Sequence, residues 1–281
     1  IYDIKLRTIL LARDRAGEKP LFYSMKNKTL YFASELKALL SNPVFEKKVD
    51  LDALDCYLTM GYVPAYRCIL NEFNKVKPGH LITFNLSDGS FHEEQYWSLP
   101  ELSQDSKSVK NSEELVNELE VLLENSVKRQ MVSDVPIGLL LSGGVDSSLI
   151  TAMAARDRSK LKTFTIVFEG HKNYNELEHA NLISEYFETD HNELNANPSS
   201  VEMLSSLAHQ YDEPIIDSSI IPTFLLTQQV SNFCKVALGG DGGDELFGGY
   251  EHYSRLLKML KYFNIIPLSL RKIISNVSLK I

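Results

Sequence analysis

Ser142-Gly143-Gly144-Val145-Asp146-Ser147-Ser148 brings two glycines, three hydroxyls and a carboxylate together in one short stretch. Glycines let an oxyanion approach backbone amides, the hydroxyls add donors, and a helix starting here presents unpaired N–H groups at the positive end of its dipole. That is phosphate-binding chemistry. Asp146 is the odd member, because a carboxylate beside a phosphate repels it unless a cation lies between them. The pattern therefore points to Mg²⁺ bound to both. The common nucleoside-triphosphate loop is excluded: it needs Gly-Lys-Ser/Thr, and no lysine lies between Lys128 and Lys160.

A second cluster, Gly239-Gly240-Asp241-Gly242-Gly243-Asp244-Glu245-Leu246-Phe247-Gly248-Gly249-Tyr250, holds six of the fourteen glycines, so it reads as a second ligand-facing loop. Asp241, Asp244 and Glu245 supply metal-ligand or acid-base groups in that turn. The EF-hand spacing is not met, which excludes a calcium loop of that type. If the strands before the two loops are neighbours, both loops face one Mg²⁺-pyrophosphate. A third segment, Tyr211 to Pro222, sets Asp212, Glu213 and Asp217 with two serines between prolines. There, Asp217 and Ser218 read as a helix N-cap.

The elements that must position these residues follow from periodicity. Val135 to Leu141 is an apolar run that feeds a helix beginning at the first loop, and Lys235 to Leu238 is a strand leading into the second. Thr163 to Phe168 is a buried strand, Asn175 to Phe187 a helix, Asn197-Pro198 opens another helix, and Asp217 caps a fourth. Asn111 with Glu114 makes a capping box for a helix ahead of residue 135. This alternation predicts a parallel sheet covered by helices.

Residues 1–97 instead read as short strands. They are Ile1 to Ala12, a pair around Lys26-Asn27-Lys28, and a hairpin of His80–Leu86 with Ser90–Trp97 turning at Ser87-Asp88-Gly89. Two short helices interrupt them, one starting on the capping Ser34 and one capped by Asp50. Residues 98–111 are polar enough to read as a linker, which leaves 112–281 as the second domain. The 281 residues, 44% hydrophobic and 23% charged, can bury a core. A formal charge of −8 gives no basic field for nucleic acid. Cys56, Cys68 and Cys234 lie far apart with no C-x-x-C pair, which fits reduced thiols. With no apolar stretch of membrane-spanning length and no signal peptide, the expected location is cytoplasmic, without a membrane partner. Starting at Ile1 within a strand pattern, the chain reads as a fragment.

The first loop resembles the pyrophosphate loop of the N-type ATP pyrophosphatases. The three segments in this order resemble the synthetase domain of glutamine-dependent asparagine synthetases. Ala12-Arg13-Asp14-Arg15-Ala16-Gly17-Glu18-Lys19-Pro20-Leu21-Phe22-Tyr23, followed by Ala33-Ser34-Glu35-Leu36-Lys37-Ala38-Leu39, is similar to the closing strands of that family's N-terminal-nucleophile glutaminase domain. The implied fold is α/β: a parallel-sheet ATP pyrophosphatase (adenine nucleotide α-hydrolase-like) domain preceded by the C-terminal part of a β-rich glutaminase domain. The implied cofactors are ATP and Mg²⁺. By resemblance, Ser142, Gly143, Gly144, Asp146, Ser147 and Ser148 hold pyrophosphate, and Asp146 with Asp244 ligates the metal. Leu140 and Ile166 pack near adenine, Gly240 offers a backbone contact to AMP, and Asp241 takes the family's acidic position in the chemistry. An Asp-Glu-Pro segment lies near the substrate site in that family, and His191 falls where the family often carries histidine.

The implied reaction is adenylation of aspartate, then displacement of AMP by ammonia drawn from glutamine, in a possible homodimer. Another carboxylate acceptor, as in a β-lactam-synthetase-like enzyme, or an inactive ATP-binding fragment are the alternatives. A tRNA-thiolating enzyme is disfavoured by the dispersed cysteines and acidic balance. Gly239 stands where the family usually has serine, and Val167 where glycine is usual. The family's nucleophilic cysteine would lie upstream of Ile1. Its catalytic lysine lies downstream of the acidic loop, where Lys258, Lys261, Lys272 and Lys280 occur.

Overall fold

A computed structural model describes residues 1–101, 111–157, 160–168, 176–196, 201–265, 267 and 271. The chain groups into two compact units, Ile1–Val109 with Pro198–Phe224, and Lys110–Asn197 with Leu225–Ile281.

In the first unit the opening segment is two strands rather than one, β1 (Tyr2–Asp3) and β2 (Thr8–Ala12), paired antiparallel. Asp3 accepts a hydrogen bond from the Leu6 amide at 2.9 Å and Arg7 takes φ +51, so the chain reverses between them. Strands β3 (Phe22–Lys26) and β4 (Thr29–Ala33) form a hairpin. Its turn residues, Asn27 and Lys28, both adopt the positive φ that a two-residue turn demands. Then come α1 (Leu36–Leu40), α2 (Leu51–Met60), β5 (Asn74–Lys75), β6 (His80–Asn85) and β7 (Phe91–Gln95). One antiparallel sheet runs β1-β2-β6-β7 and another β4-β3-β5. Buried Leu11, Val76 and Ile82 pack with Tyr23 and Leu30, joining residues of both sheets in one core.

Helix α2 starts as its sequence requires, with the Asp50 carboxylate accepting from the Ala53 amide at 2.8 Å. Helix α1 does not. Ser34 is not its cap, and the residue at that position, Glu35, makes no side-chain capping bond. The Asp212 carboxylate takes the orphan amides of Leu36 and Lys37 instead, at 2.7 and 3.1 Å. Next to it, Glu213 accepts from Lys75 Nζ at 2.6 Å and from the Ile69 amide at 2.8 Å. Residues 211–216 are thus bound into the first unit.

The second unit opens with α3 (Ser112–Gln130), whose Asn111–Glu114 capping box is complete. It continues with β8 (Ile137–Leu140), α4 (Val145–Ala155), β9 (Lys162–Phe168), α5 (Leu177–Tyr186) and β10 (Asp190–Ala196). Helix α6 (Val201–Gln210) and the N-terminal part of α7 (Ile220–Val230) group with the first unit. Strand β11 (Val236–Leu238), α8 (Gly243–Phe247) and α9 (Glu251–Ile265) complete the description. Asn175, Asn197 and Pro198, expected at helix starts, lie outside the described residues.

The sheet runs β10-β9-β8-β11, every pair parallel. Leu139 packs with Val127, Met131, Met153 and Ala154 of α3, its C-cap and α4. Leu140, its neighbour, packs with Phe164, Leu194 and Val230. Successive strand residues face opposite sides, so helices cover both faces of an α/β sheet. Strand β10 was not anticipated. Its sequence, Asp-His-Asn-Glu-Leu-Asn-Ala, is polar because it lies at the sheet edge, and Leu194 is its buried anchor.

Lys75→Met leaves the Glu213 carboxylate without its cation in a mostly buried site. Urea unfolding is expected to show a loss of about 3 kcal/mol, and the double variant Lys75→Met/Glu213→Leu, which removes both charges, should recover most of it.

Candidate functional site

Strand order fixes where the two glycine loops meet. From β8 the chain moves to β9 on one side, whereas β11 lies on the other, so the order reverses between β8 and β11. Ligands of open α/β sheets bind outside the carboxyl ends of the strands at such a point. Residues 142–148 leave β8 there, and 239–250 leave β11.

The first loop is stitched by its own hydroxyls. Ser142 Oγ lies 2.9 Å from Ser147 Oγ, the Ser142 amide donates to Ser147 Oγ at 3.2 Å, and the Gly144 amide donates to Ser142 Oγ at 3.3 Å. Ser142 and Ser147 therefore shape the turn. Ser148 differs, because its Oγ is buried without a hydrogen-bond partner. Gly144 caps α4 with no side-chain bond, so the first-turn amides of α4 have no partner inside their helix. An orphaned hydroxyl beside orphaned amides is what an anion would satisfy.

Close backbone approach explains the glycines. Gly143 has φ +79, and an added Cβ would meet the Ala180 amide nitrogen and His179 Cβ, each at 2.6 Å. The first turn of α5 thus lies directly behind the loop. A Cβ on Gly240 would meet Asp146 Cβ at 2.8 Å and the Ser147 nitrogen at 2.9 Å. One on Gly243 would meet the Asp146 carboxylate at 2.5 to 2.8 Å. The second loop rests its backbone on α4, with Asp146 against Gly240 and Gly243.

Asp244 follows Gly243 and is half-buried, and its carboxylate lies against Gly249. Exposed Asp241 folds back, its Oδ2 2.5 Å from a Cβ built on Gly239. Leu140 reaches within 3.8 Å of that same point on Gly239, and half-buried Ile166 lies near the carboxyl end of β9. Among the described residues, no group of three His, Cys, Asp or Glu side chains is placed to hold a metal. The donor set still fits Mg²⁺, which is typically held by one or two carboxylates with phosphate oxygens and water completing its shell.

Other expected residues have partners of their own. His191 is the second residue of β10, toward the amino ends of the strands, with Nδ1 2.8 Å from Thr163 Oγ1. Its Nε2 is buried without a partner, and burial lowers its pKa below 6.5. Asp212 and Glu213 are committed to the first unit's bonds. Asp217 accepts from the Ser219 amide and hydroxyl, each at 2.8 Å, and these bonds hold its carboxyl below the ordinary range. Lys258 and Lys261 lie on exposed α9, and Lys272 and Lys280 fall outside the described residues. Sequence reasoning gave no role to Tyr250, whose hydroxyl donates to Glu245 Oε1 at 2.7 Å. That bond lowers the Glu245 pKa and pushes Tyr250 up to about 12.

The family description "Asparagine synthase" matches residues 118–281, more than half of the chain. The chain belongs to the asparagine synthase family. A "Glutamine amidotransferase domain" description matches residues 1–97. Among curated members, a putative asparagine synthetase [glutamine-hydrolyzing] 2 of Methanocaldococcus jannaschii is 34% identical over 100% of this chain and 54% of its own length. Asparagine synthetase [glutamine-hydrolyzing] 1 of Bacillus subtilis is 34% identical over 95% of this chain and 41% of its own. The chain thus spans about half the length of the curated relatives it matches. A solved NMN synthetase from Francisella tularensis superposes at a TM-score of 0.34 with 16% identity, over 50% of this chain and 59% of that one, too distant to bear on the fold. Among the described residues no helix is long and apolar enough to cross a membrane.

Two measurements check the site's construction. Gly240→Ala forces backbone apart, whereas Gly242→Ala, at φ +90 with nothing within 4 Å, adds only left-handed strain. Urea titration should place Gly242→Ala about 1–2 kcal/mol below the parent and Gly240→Ala lower still. Separately, because the His191 pKa is lower folded than unfolded, the unfolded chain takes up the proton first as pH falls. The His191 contribution is complete above about 6.5 and lost below it, so stability measured from pH 7.5 to 5 should fall less steeply in His191→Gln.

Proposed function

We propose that this chain carries the adenylating site of an ATP-dependent asparagine synthesis. The β-carboxylate oxygen of aspartate attacks the α-phosphorus of ATP, the bond to the bridging oxygen breaks, and pyrophosphate leaves. Ammonia nitrogen then attacks the activated carbonyl, loses a proton, and AMP departs. The observation that carries this reading is the apposition of the two glycine loops across Asp146 at the β8/β11 reversal.

In this proposal Ser142, Gly143, Gly144, Ser147 and Ser148, with the first-turn amides of α4, receive the pyrophosphate. The orphaned Ser148 hydroxyl and amides support that role. Gly240 presents its backbone to AMP, and Leu140 and Ile166 flank adenine from the strand ends. Asp146 and Asp244 hold Mg²⁺, which when bound neutralises charge on the departing pyrophosphate. Asp241, exposed on the second loop, serves the chemistry of the adenylate. Residues 1–97 are part of a glutamine amidotransferase domain supplying ammonia, 98–111 a linker, and 112–281 the synthetase domain, working in the cytoplasm. The match of 1–97 to an amidotransferase description supports ammonia as the second substrate.

ATP–pyrophosphate exchange tests the reading. Exchange should require aspartate among a panel of carboxylates and should drop at least a hundredfold in Asp146→Asn. Exchange with another carboxylate but not aspartate, or with none, would overturn it.

A further inference from the structure

Helix α8 carries Asp244 yet has no buried residue, and Leu246 and Phe247 are 76% and 61% exposed. Hydrophobic packing does not hold it in place. Gly242 at φ +90 and Gly248 at φ +69 bracket its five residues, so the backbone bends sharply at both ends. What returns to grip the helix is the segment just after it. The Gly249 amide donates to the Asp244 carbonyl at 3.0 Å, and the Tyr250 hydroxyl reaches Glu245 Oε1 at 2.7 Å. Tyr250 is braced in turn by its stack on His252, with ring centres 5.2 Å apart and planes 19° from parallel, and by Tyr253 at 6.0 Å.

We infer that Tyr250 is a positioning residue: its hydroxyl clasps Glu245 and so fixes α8 in the orientation that presents the Asp244 carboxylate to the site. The aromatic brace from the start of α9 supplies the stiffness that α8 lacks. The clasp also places a neutral donor on one of four carboxylates, Asp146, Asp241, Asp244 and Glu245, that the two loops bring into one region. This rests on the proposed metal role of Asp244, and the test separates the two.

The decisive variant is Tyr250→Phe, which keeps the ring stack and removes only the hydroxyl; Glu245→Gln is the second. Mn²⁺ binding in the presence of pyrophosphate, followed by electron paramagnetic resonance, should weaken roughly threefold to tenfold in both, while binding of metal-free ATP stays within twofold. Hydrogen exchange at the Leu246 and Gly249 amides should quicken in both variants. Asp244→Asn serves as the separate control. Unchanged Mn²⁺ affinity in that variant defeats the metal reading, whereas faster exchange in Tyr250→Phe still reports the clasp. Parent-like exchange and Mn²⁺ affinity in Tyr250→Phe, or equal losses of Mn²⁺ and metal-free ATP binding, would overturn the inference.

Discussion

The pairing of the two glycine loops depends on one contact: the backbone at Gly240 and Gly243 resting on the first turn of α4, with the Asp146 side chain between them. A single methyl on either glycine would collide with Asp146 or the Ser147 nitrogen. The contact exists because β8 and β11 are neighbours although ninety-odd residues of chain separate them. Parallel pairing brings the two loops out at the same end and level. The strand order, the helices on both faces and the paired loops are therefore a single arrangement.

Within that arrangement the polar groups divide their labour. Ser142 and Ser147 spend their hydroxyls on each other and on amides of the turn, which keeps the loop in one shape before any ligand arrives. Ser148 Oγ has no hydrogen-bond partner and the first-turn amides of α4 have none within their helix, so these donors are not spent inside the loop. In the proposed reaction, donors held this way would meet the departing group without having to reorganise.

Both glycine loops were legible in the sequence because glycine density, hydroxyls and a stranded carboxylate are local signals. The strands before them were legible as apolar runs. What the sequence hid came from long range. The amides at the start of α1 are met by Asp212, 176 residues away, so no nearby residue marks the cap. Strand β10 escaped notice because an edge strand needs few apolar residues, and only Leu194 signals its buried side. Resemblance puts the Asp-Glu-Pro segment near a substrate; the structure adds that both carboxylates hold amides and a lysine of the first unit. Spacing alone does not reveal a carboxylate's partner.

The discontinuity of the first unit has a consequence for how the chain is made. Lys75 and Glu213 are 138 residues apart, and synthesis at about 5–20 residues per second separates their emergence by roughly ten seconds. During that interval Lys75 has no Glu213 to pair with and the Leu36 and Lys37 amides have no Asp212. The closing segment of the first unit is thus translated only after the glycine loop at 142–148, and the last segment of the second unit, from Leu225 onward, follows it.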